Sequence, residues 1–320
     1  MPRPRALPDP YLLSKVSTLY YDRDQTQQEI AERLRLSRPT VSRLLQEARH
    51  LGIVRITIAA PRGLHIELET LLEDRFGLQT VQVIPADAGR DPERLRREIG
   101  AAAAAYLART LRPNETIGMS WGATLSAMVQ AMVSLPSTGV RVVQTLGGIG
   151  PPDTEAYAAQ LVRRLARLLG AAAVLLPAPG IVATVGVRDI LRDDPHVRAA
   201  LRELDSLDTV FVGLGSLATN PVLNDEHSLP RGTRAELLKA GAVGDIALRF
   251  FDARGVPVRT SLDERILGIT TDQLRKVPRV VAVAGGPEKA DAIFAALKAG
   301  IVNVLITDQT TAEALAAHGS

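Results

Sequence analysis

The chain has 320 residues, 46% of them apolar and 23% charged, with a formal net charge of +3 and no cysteine. At about 150 residues per domain this points to two domains of ordinary globular composition. The lack of cysteine excludes disulfides, thiolate metal sites and a cysteine nucleophile. The histidines (His50, His65, His196, His227, His318) include no i, i+4 pair that would suit a helical metal site.

The opening segment, MPRPRALPDP, is proline-rich and lacks the apolar core of a signal peptide. Residues 1–62 hold 11 basic against 6 acidic side chains, and the remainder holds 27 against 29. A small basic head on a near-neutral body indicates a nucleic-acid module joined to something else. We therefore expect a nucleic-acid-binding domain over residues 1–60 and a second, larger domain over 61–320.

The head carries its own signals. Thr26 and Glu29 form a T-x-x-E capping box that opens a short helix, Gln27 to Leu34. Ser37 is a good N-cap for a second helix, with Pro39 tolerated in its first turn. Ile30, Ala31, Leu34, Leu36, Val41, Leu44, Leu45 and Ala48 fall where two helices crossing at a tight turn would meet. That is a helix-turn-helix. It leaves Gln27, Ser37, Arg38, Thr40, Ser42 and Arg43 to face double-stranded DNA, with the second helix in the major groove. Arg35 stands in the turn where many such motifs carry glycine. Ile53 to Ile58 alternates like a strand and predicts a wing.

Beyond a linker over Ala59 to Gly63, Leu64 to Phe76 reads as an amphipathic helix. The chain then alternates in an α/β manner. Expected strands are Thr80–Ile84, Thr116–Ser120, Val140–Thr145, Ala172–Leu176, Thr209–Gly213, Asp245–Phe251, Val280–Ala284 and Val302–Thr307. Several are continuous apolar runs, as in parallel strands covered on both faces. Expected helices are Pro92–Leu111, Ala123–Ser134, Thr154–Leu169, Ala235–Ala240, Pro287–Ala299 and Thr310–Ala317. The uncharged stretch Gly170 to Val187 contains Pro177, Pro179 and Gly180, which fits a buried strand and loop better than a membrane helix.

Glycines cluster after strand ends: Gly118 and Gly122; Gly147, Gly148 and Gly150; Gly213 and Gly215; Gly285 and Gly286. In an open parallel sheet those ends line one ligand crevice. In IGMSWGATLSAM a strand passes through Ser120-Trp121-Gly122-Ala123-Thr124 straight into a helix. The amides of that helix start, beside Ser and Thr hydroxyls, form an anion cradle. The same letters match the G-x-S-x-G nucleophile elbow, but only one body strand precedes Ser120 and no HGGG-type segment lies upstream. Gly213-Leu214-Gly215 lacks the third glycine of a dinucleotide fingerprint, and no G-K-[ST] loop is present.

Taken together, TQQEIAERLRLSRPTVSRLLQEARHLGIV, IGMSWGATL, VVQTLGG, LLPAPGIV, VGLGS, GAVGDIALRFFD and GGPEKADAIFAALKAGIVNVLITD resemble the SorC family of bacterial sugar-responsive transcriptional regulators across nearly the whole chain. The resemblance implies a helix-turn-helix head and an effector domain similar to sugar-phosphate isomerases and deaminases. It also implies a phosphorylated sugar or related metabolite as effector and a homo-oligomer (dimer or tetramer) on operator DNA. No cofactor is expected, and with neither a signal peptide nor a membrane helix in view the protein reads as cytoplasmic, without membrane attachment. By position it assigns the effector pocket to Ser120, Trp121, Gly122 and Thr124, to Thr145, Gly147 and Gly148, to Gly213, Gly215 and Ser216, and to Asp245 and Lys289. The rival reading is an isomerase or deaminase with a fused DNA-binding head. Such an enzyme needs a base beside the substrate, and Asp245 is the only carboxylate the sequence places near the glycine turns.

Overall fold

The computed structural model describes residues 9–56, 63–85, 91–149, 152–217 and 232–318, with 152–157 described through their backbone alone. Residues 1–8, Thr57 and Ile58 of the expected wing, the linker residues 59–62, Gly150 and His227 lie outside the described residues. The chain divides into two compact units, Met1–Ala60 and Pro61–Ser320.

The first unit is three helices: α1 (Pro10–Tyr21), α2 (Gln27–Leu34) and α3 (Arg38–His50). The caps read from sequence form. Thr26 accepts from the Glu29 amide while the Glu29 carboxylate takes the Thr26 amide, and Ser37 accepts from Thr40. Arg35 closes α2 in the left-handed region at φ 52, where a non-glycine residue costs on the order of 1 kcal/mol. Its neighbour Leu36 donates back to the Ala31 carbonyl at 2.8 Å, satisfying the helix end. The core is Ile30, Ala31, Val41, Leu44, Leu45 and Ala48. To it α1 adds Leu13, Val16 and Leu19, a contribution the sequence reading overlooked. The expected wing is corrected. Ile53 to Ile56 form no strand; Ile53 and Ile56 are exposed, and no described strand of this unit offers them a ladder partner.

The second unit opens with α4 (Ile66–Phe76), β1 (Thr80–Ile84), α5 (Pro92–Thr110), β2 (Thr116–Met119) and α6 (Ala123–Ala131). It continues through β3 (Arg141–Gln144), α7 (Pro152–Leu169), β4 (Ala172–Val174), α8 (Val185–Asp193), α9 (Pro195–Glu203), β5 (Thr209–Val212) and β6 (Gly215–Ser216). Then come α10 (Thr233–Lys239), β7 (Ala242–Ile246), β8 (Arg249–Asp252), α11 (Thr271–Leu274), β9 (Arg279–Val283), α12 (Ala290–Lys298), β10 (Val304–Asp308) and α13 (Gln309–Ala317).

Seven strands form one parallel sheet in the order β1-β10-β9-β5-β2-β3-β4, covered by helices on both faces. The pleat divides each strand between two cores. Val280 and Ala282 of β9 pack with Leu72, Ile293 and Leu315 of α4, α12 and α13. Val281 and Val283 pack with Ile99, Leu125 and Leu165 of α5, α6 and α7. At one edge α4 stands in for a further strand: Glu73 accepts from the Val81 amide at 2.7 Å, and Glu69 accepts from Val83 at 2.8 Å. At the other edge β4 pairs only with β3, and its Ala172 and Ala173 are exposed. The uncharged stretch over 170–187 is this strand, which is largely exposed rather than buried as expected, then a loop and the first residues of α8; no described helix is long and apolar enough to cross a membrane.

The expected single strand Asp245–Phe251 is also corrected. It is a hairpin of β7 and β8 within a small antiparallel sheet, β6-β7-β8. The two-residue turn, Ala247 and Leu248, holds both residues at positive φ (51 and 62). A primed turn of that kind ordinarily selects glycine or asparagine. Here the Asp245 carboxylate accepts from the Leu248 amide at 3.0 Å, and both turn residues are buried.

Candidate functional site

Strand order fixes the site. Beyond β2 the chain builds outward through β3 and β4, then returns to the other side of β2 as β5. That reversal makes β2 and β5 neighbours, with Ile117 opposite Thr209 and Met119 opposite Phe211. Their C-terminal ends therefore diverge over a crevice, the place where open α/β sheets bind ligands. A cavity of about 500 Å³ opens there. It brings together nine of the twelve residues that the resemblance assigns to the effector pocket: Ser120, Trp121, Gly122 and Thr124 after β2; Gly213, Gly215 and Ser216 after β5; Asp245; and Lys289.

The turn after β2 has the features of an anion cradle. Gly122 is the N-cap of α6 at φ 141, a conformation that disfavours any side chain, and the helix start has no side-chain cap. The first amides of α6 thus face the crevice without a protein acceptor from a capping residue. Ser120 and Thr124 are buried beside them. Across the cavity Lys289 is half-buried, and burial holds its ammonium below the ordinary lysine range; nearby Arg96 pushes the same way while Glu288 and Asp245 oppose. An anion placed there would favour the charged ammonium.

The third group of expected ligands is elsewhere. Thr145, Gly147 and Gly148 do not line the cavity. Thr145 is fully buried and its hydroxyl donates to the Met119 carbonyl at 3.2 Å. The Gly147 amide donates to Leu267 and the Gly148 amide to Ala178, each at 3.0 Å. A Cβ on Gly147 would stand 2.4 Å from the Ala178 carbonyl oxygen, so this glycine makes room for backbone. Gly285 and Gly286, which the glycine pattern put on the crevice, do line the cavity, and with them come residues the sequence reading did not assign, chiefly Arg96 on α5 and Glu288 after β9. Glu288 is thus a second carboxylate in the cavity beside Asp245. The Gly285-Gly286 pair was the available signal for that wall; Arg96 sits among Arg94 and Arg97 with nothing to mark it.

In the first unit Arg38 and Arg43 of α3 are exposed, Thr40 and Ser42 are partly exposed, and all four lie outside the core of that unit. Ser37 is exposed and Gln27 partly so at the starts of α3 and α2. Arg49 in the last turn of α3 donates to the Tyr21 hydroxyl at 2.8 Å, tying α3 to α1.

Comparison with known proteins agrees with both halves. Residues 62–317 match the family described as "Putative sugar-binding domain", and residues 15–50 match sigma-70 region 4. The transcriptional regulator LsrR of Enterobacter sp. is 35% identical over 98% of this chain and 94% of its own length. The deoxyribonucleoside regulator of Bacillus subtilis is 33% identical over 94% of this chain and 96% of its own. Among solved structures, the full-length sorbitol operon regulator SorC from Klebsiella pneumoniae aligns with a TM-score of 0.73 at 30% identity, covering 96% of this chain and 98% of that one. The relatives bear the names of regulators, and the enzyme reading finds no support among them. The chain belongs to the SorC family of sugar-binding transcriptional regulators, and its DNA binding is under the control of an effector.

Proposed function

We propose that the effector is a phosphorylated sugar bound, without turnover, in the cavity at the β2–β5 divergence. The observation that carries this is the uncapped start of α6 at the floor of a sugar-sized cavity that also holds two carboxylates. The phosphate lies on the amides of Ala123 and Thr124 with the Ser120 and Thr124 hydroxyls beside it. Asp245 and Glu288 accept from sugar hydroxyls, and Lys289 and Arg96 supply positive charge. Trp121, Gly213, Gly215 and Ser216 complete the walls. Among the described residues no histidine lines the cavity, and Asp245 already serves the Ala247–Leu248 turn, which leaves Glu288 as the one lining carboxylate without that duty and supports binding without turnover. The test is a thermal-shift screen against ribose 5-phosphate, 2-deoxyribose 5-phosphate, glucose 6-phosphate and fructose 6-phosphate. A ligand at 100 times its Kd should add about 2.7 kcal/mol. A flat response to all four, with inorganic phosphate equally silent, refutes the reading.

The DNA-binding domain is residues 1–60, with α3 in the major groove. Arg38, Thr40, Ser42 and Arg43 read bases and phosphates, and Gln27 and Ser37 approach the backbone. Replacing Arg38 or Arg43 with alanine should cost about 1–3 kcal/mol of operator affinity, with a shallower salt dependence for any lost phosphate contact. Unchanged binding by both variants places the reading helix elsewhere.

One such unit covers too little DNA for strong specificity, so the protein acts in the cytoplasm as a symmetric dimer or tetramer. The uncovered β4 edge and the exposed Val187 and Ile190 of α8, a helix with no buried residue, support self-association through the second unit. Light scattering that finds a monomer both free and on DNA contradicts this.

A further inference from the structure

Gly286 belongs to the cavity wall, and its amide is held from behind. It donates to the Asp308 carboxylate and to the Thr311 hydroxyl, both at 2.9 Å. Asp308 is 1% exposed and Thr311 is fully buried. The same carboxylate caps α13: it accepts from the Thr311 amide at 3.0 Å and from the Thr311 hydroxyl at 2.6 Å. One buried acid thus fastens the cavity turn to the beginning of a helix. The far end of that helix is fastened too. Arg75 of α4 donates to the Leu315 carbonyl at 3.2 Å, to Ala316 at 2.6 Å, and to His318. These are carbonyls of a helix C-terminus, which lack partners within the helix and attract a cation. Arg75 has company in this grip: the His318 ring lies on Phe294 of α12, which meets Phe76 edge-on.

We propose that α13 relays occupancy of the cavity to α4, with Asp308 and Thr311 as the receiving end and Arg75 as the delivering end. This rests on the reading of the cavity as the effector site. The helix is nine residues, about 13 Å, and is short enough to move as one body. A ligand that shifts the Gly286 turn must either strip a buried amide of both acceptors or carry α13 with it, and the second costs less. Motion of α13 then draws on three carbonyls held by one guanidinium. In chain order α4 is the first described helix after the boundary between the two units, so a change in its seat reaches the head through the chain itself. Arg75, Asp308 and Thr311 are therefore positioning residues for effector control and contact neither ligand nor DNA.

Amide hydrogen exchange on the full-length protein tests this, because coupling between two ends is reciprocal. Thr311→Val should accelerate exchange in residues 69–76 of α4 by about tenfold, and Arg75→Ala should do the same at Gly286. Arg75→Lys, with one compact ammonium in place of a fork, should behave like Arg75→Ala. Exchange in α6 should stay at its wild-type rate in all three. Acceleration confined to the substituted end, or shared equally by α6, overturns the relay. Inorganic phosphate serves as the ligand probe. In the wild type it should slow exchange at Gly286 and in α4 together, whereas in Arg75→Ala only Gly286 should respond. If phosphate leaves Gly286 untouched, the anion cavity is the reading that fails, and the three substitutions still decide the relay.

Discussion

Glu115→Ala should lower the unfolding free energy of the second unit by about 3–5 kcal/mol, the usual cost of stranding one member of a buried ion pair. Glu115 precedes β2, Thr209 begins β5 and Arg279 begins β9, so the three meet under adjacent strands at the end of the sheet opposite the cavity. The Glu115 carboxylate accepts from Arg279, from the Thr209 hydroxyl at 2.6 Å and from the Arg112 amide at 2.9 Å. Its side chain is 3% exposed and that of Arg279 is 19% exposed. Alanine leaves the guanidinium with Thr209 and a long contact to the Thr110 carbonyl at 3.5 Å. Urea unfolding followed by circular dichroism measures the loss. A change under about 1 kcal/mol would mean that solvent already screens the pair. Because the network lies away from the effector turns, ligand affinity in the folded variant should be unaltered.

Gly122→Glu should abolish the response to effector and spare DNA binding. A Cβ at Gly122 would meet nothing within 4 Å, so the side chain has room, although φ 141 strains it. Its carboxylate would enter the space where we place the phosphate. Two like charges 4 Å apart near a protein surface repel by roughly 4 kcal/mol, or about a thousandfold in Kd. Thr124→Ala removes only one charge-assisted hydrogen bond and should weaken binding by about tenfold or somewhat more. Gly122→Ala carries the backbone strain without the charge and separates the two causes. If Gly122→Glu binds sugar phosphates with the wild-type midpoint in a thermal-shift titration, the phosphate is held elsewhere.

Much of the architecture was legible because each signal had a local physical cause. Thr26 with Glu29 and Ser37 announced two helices through their caps, and apolar runs announced strands covered on both faces. Gly122 announced a turn that carries no side chain. The misreadings are as instructive. Helix α1 follows a proline-rich start, and its stripe of Leu13, Val16 and Leu19, capped by Asp9, was passed over although the spacing was there. The break in Asp245–Phe251 left no trace, since alanine and leucine occupy the two turn positions that normally advertise themselves as glycine or asparagine. Gly147 misled for the opposite reason: a glycine that admits a neighbouring backbone looks the same in sequence as one that admits a ligand. The amphipathic reading of Leu64 to Phe76 did not separate neighbours in its apolar face: Leu72 is fully buried and Leu71 is 51% exposed. Arg96 and Glu288 enter the cavity from segments far apart in the chain, and only the strand order brings them together.

The central claim is that a phosphorylated sugar in the β2–β5 cavity changes the affinity of α3 for DNA. Its most direct test is a titration of the full-length protein against an operator selected from random-sequence duplexes. It should be run at fixed salt with and without the sugar phosphate that stabilises the protein most. An effector acts only through its differential affinity for two states. The account predicts a midpoint moved by about fivefold or more in the wild type. It predicts no movement in Gly122→Glu, and an unchanged midpoint for that variant without effector. A stabilising sugar phosphate that leaves the wild-type midpoint in place, or that moves it equally in Gly122→Glu, would contradict it.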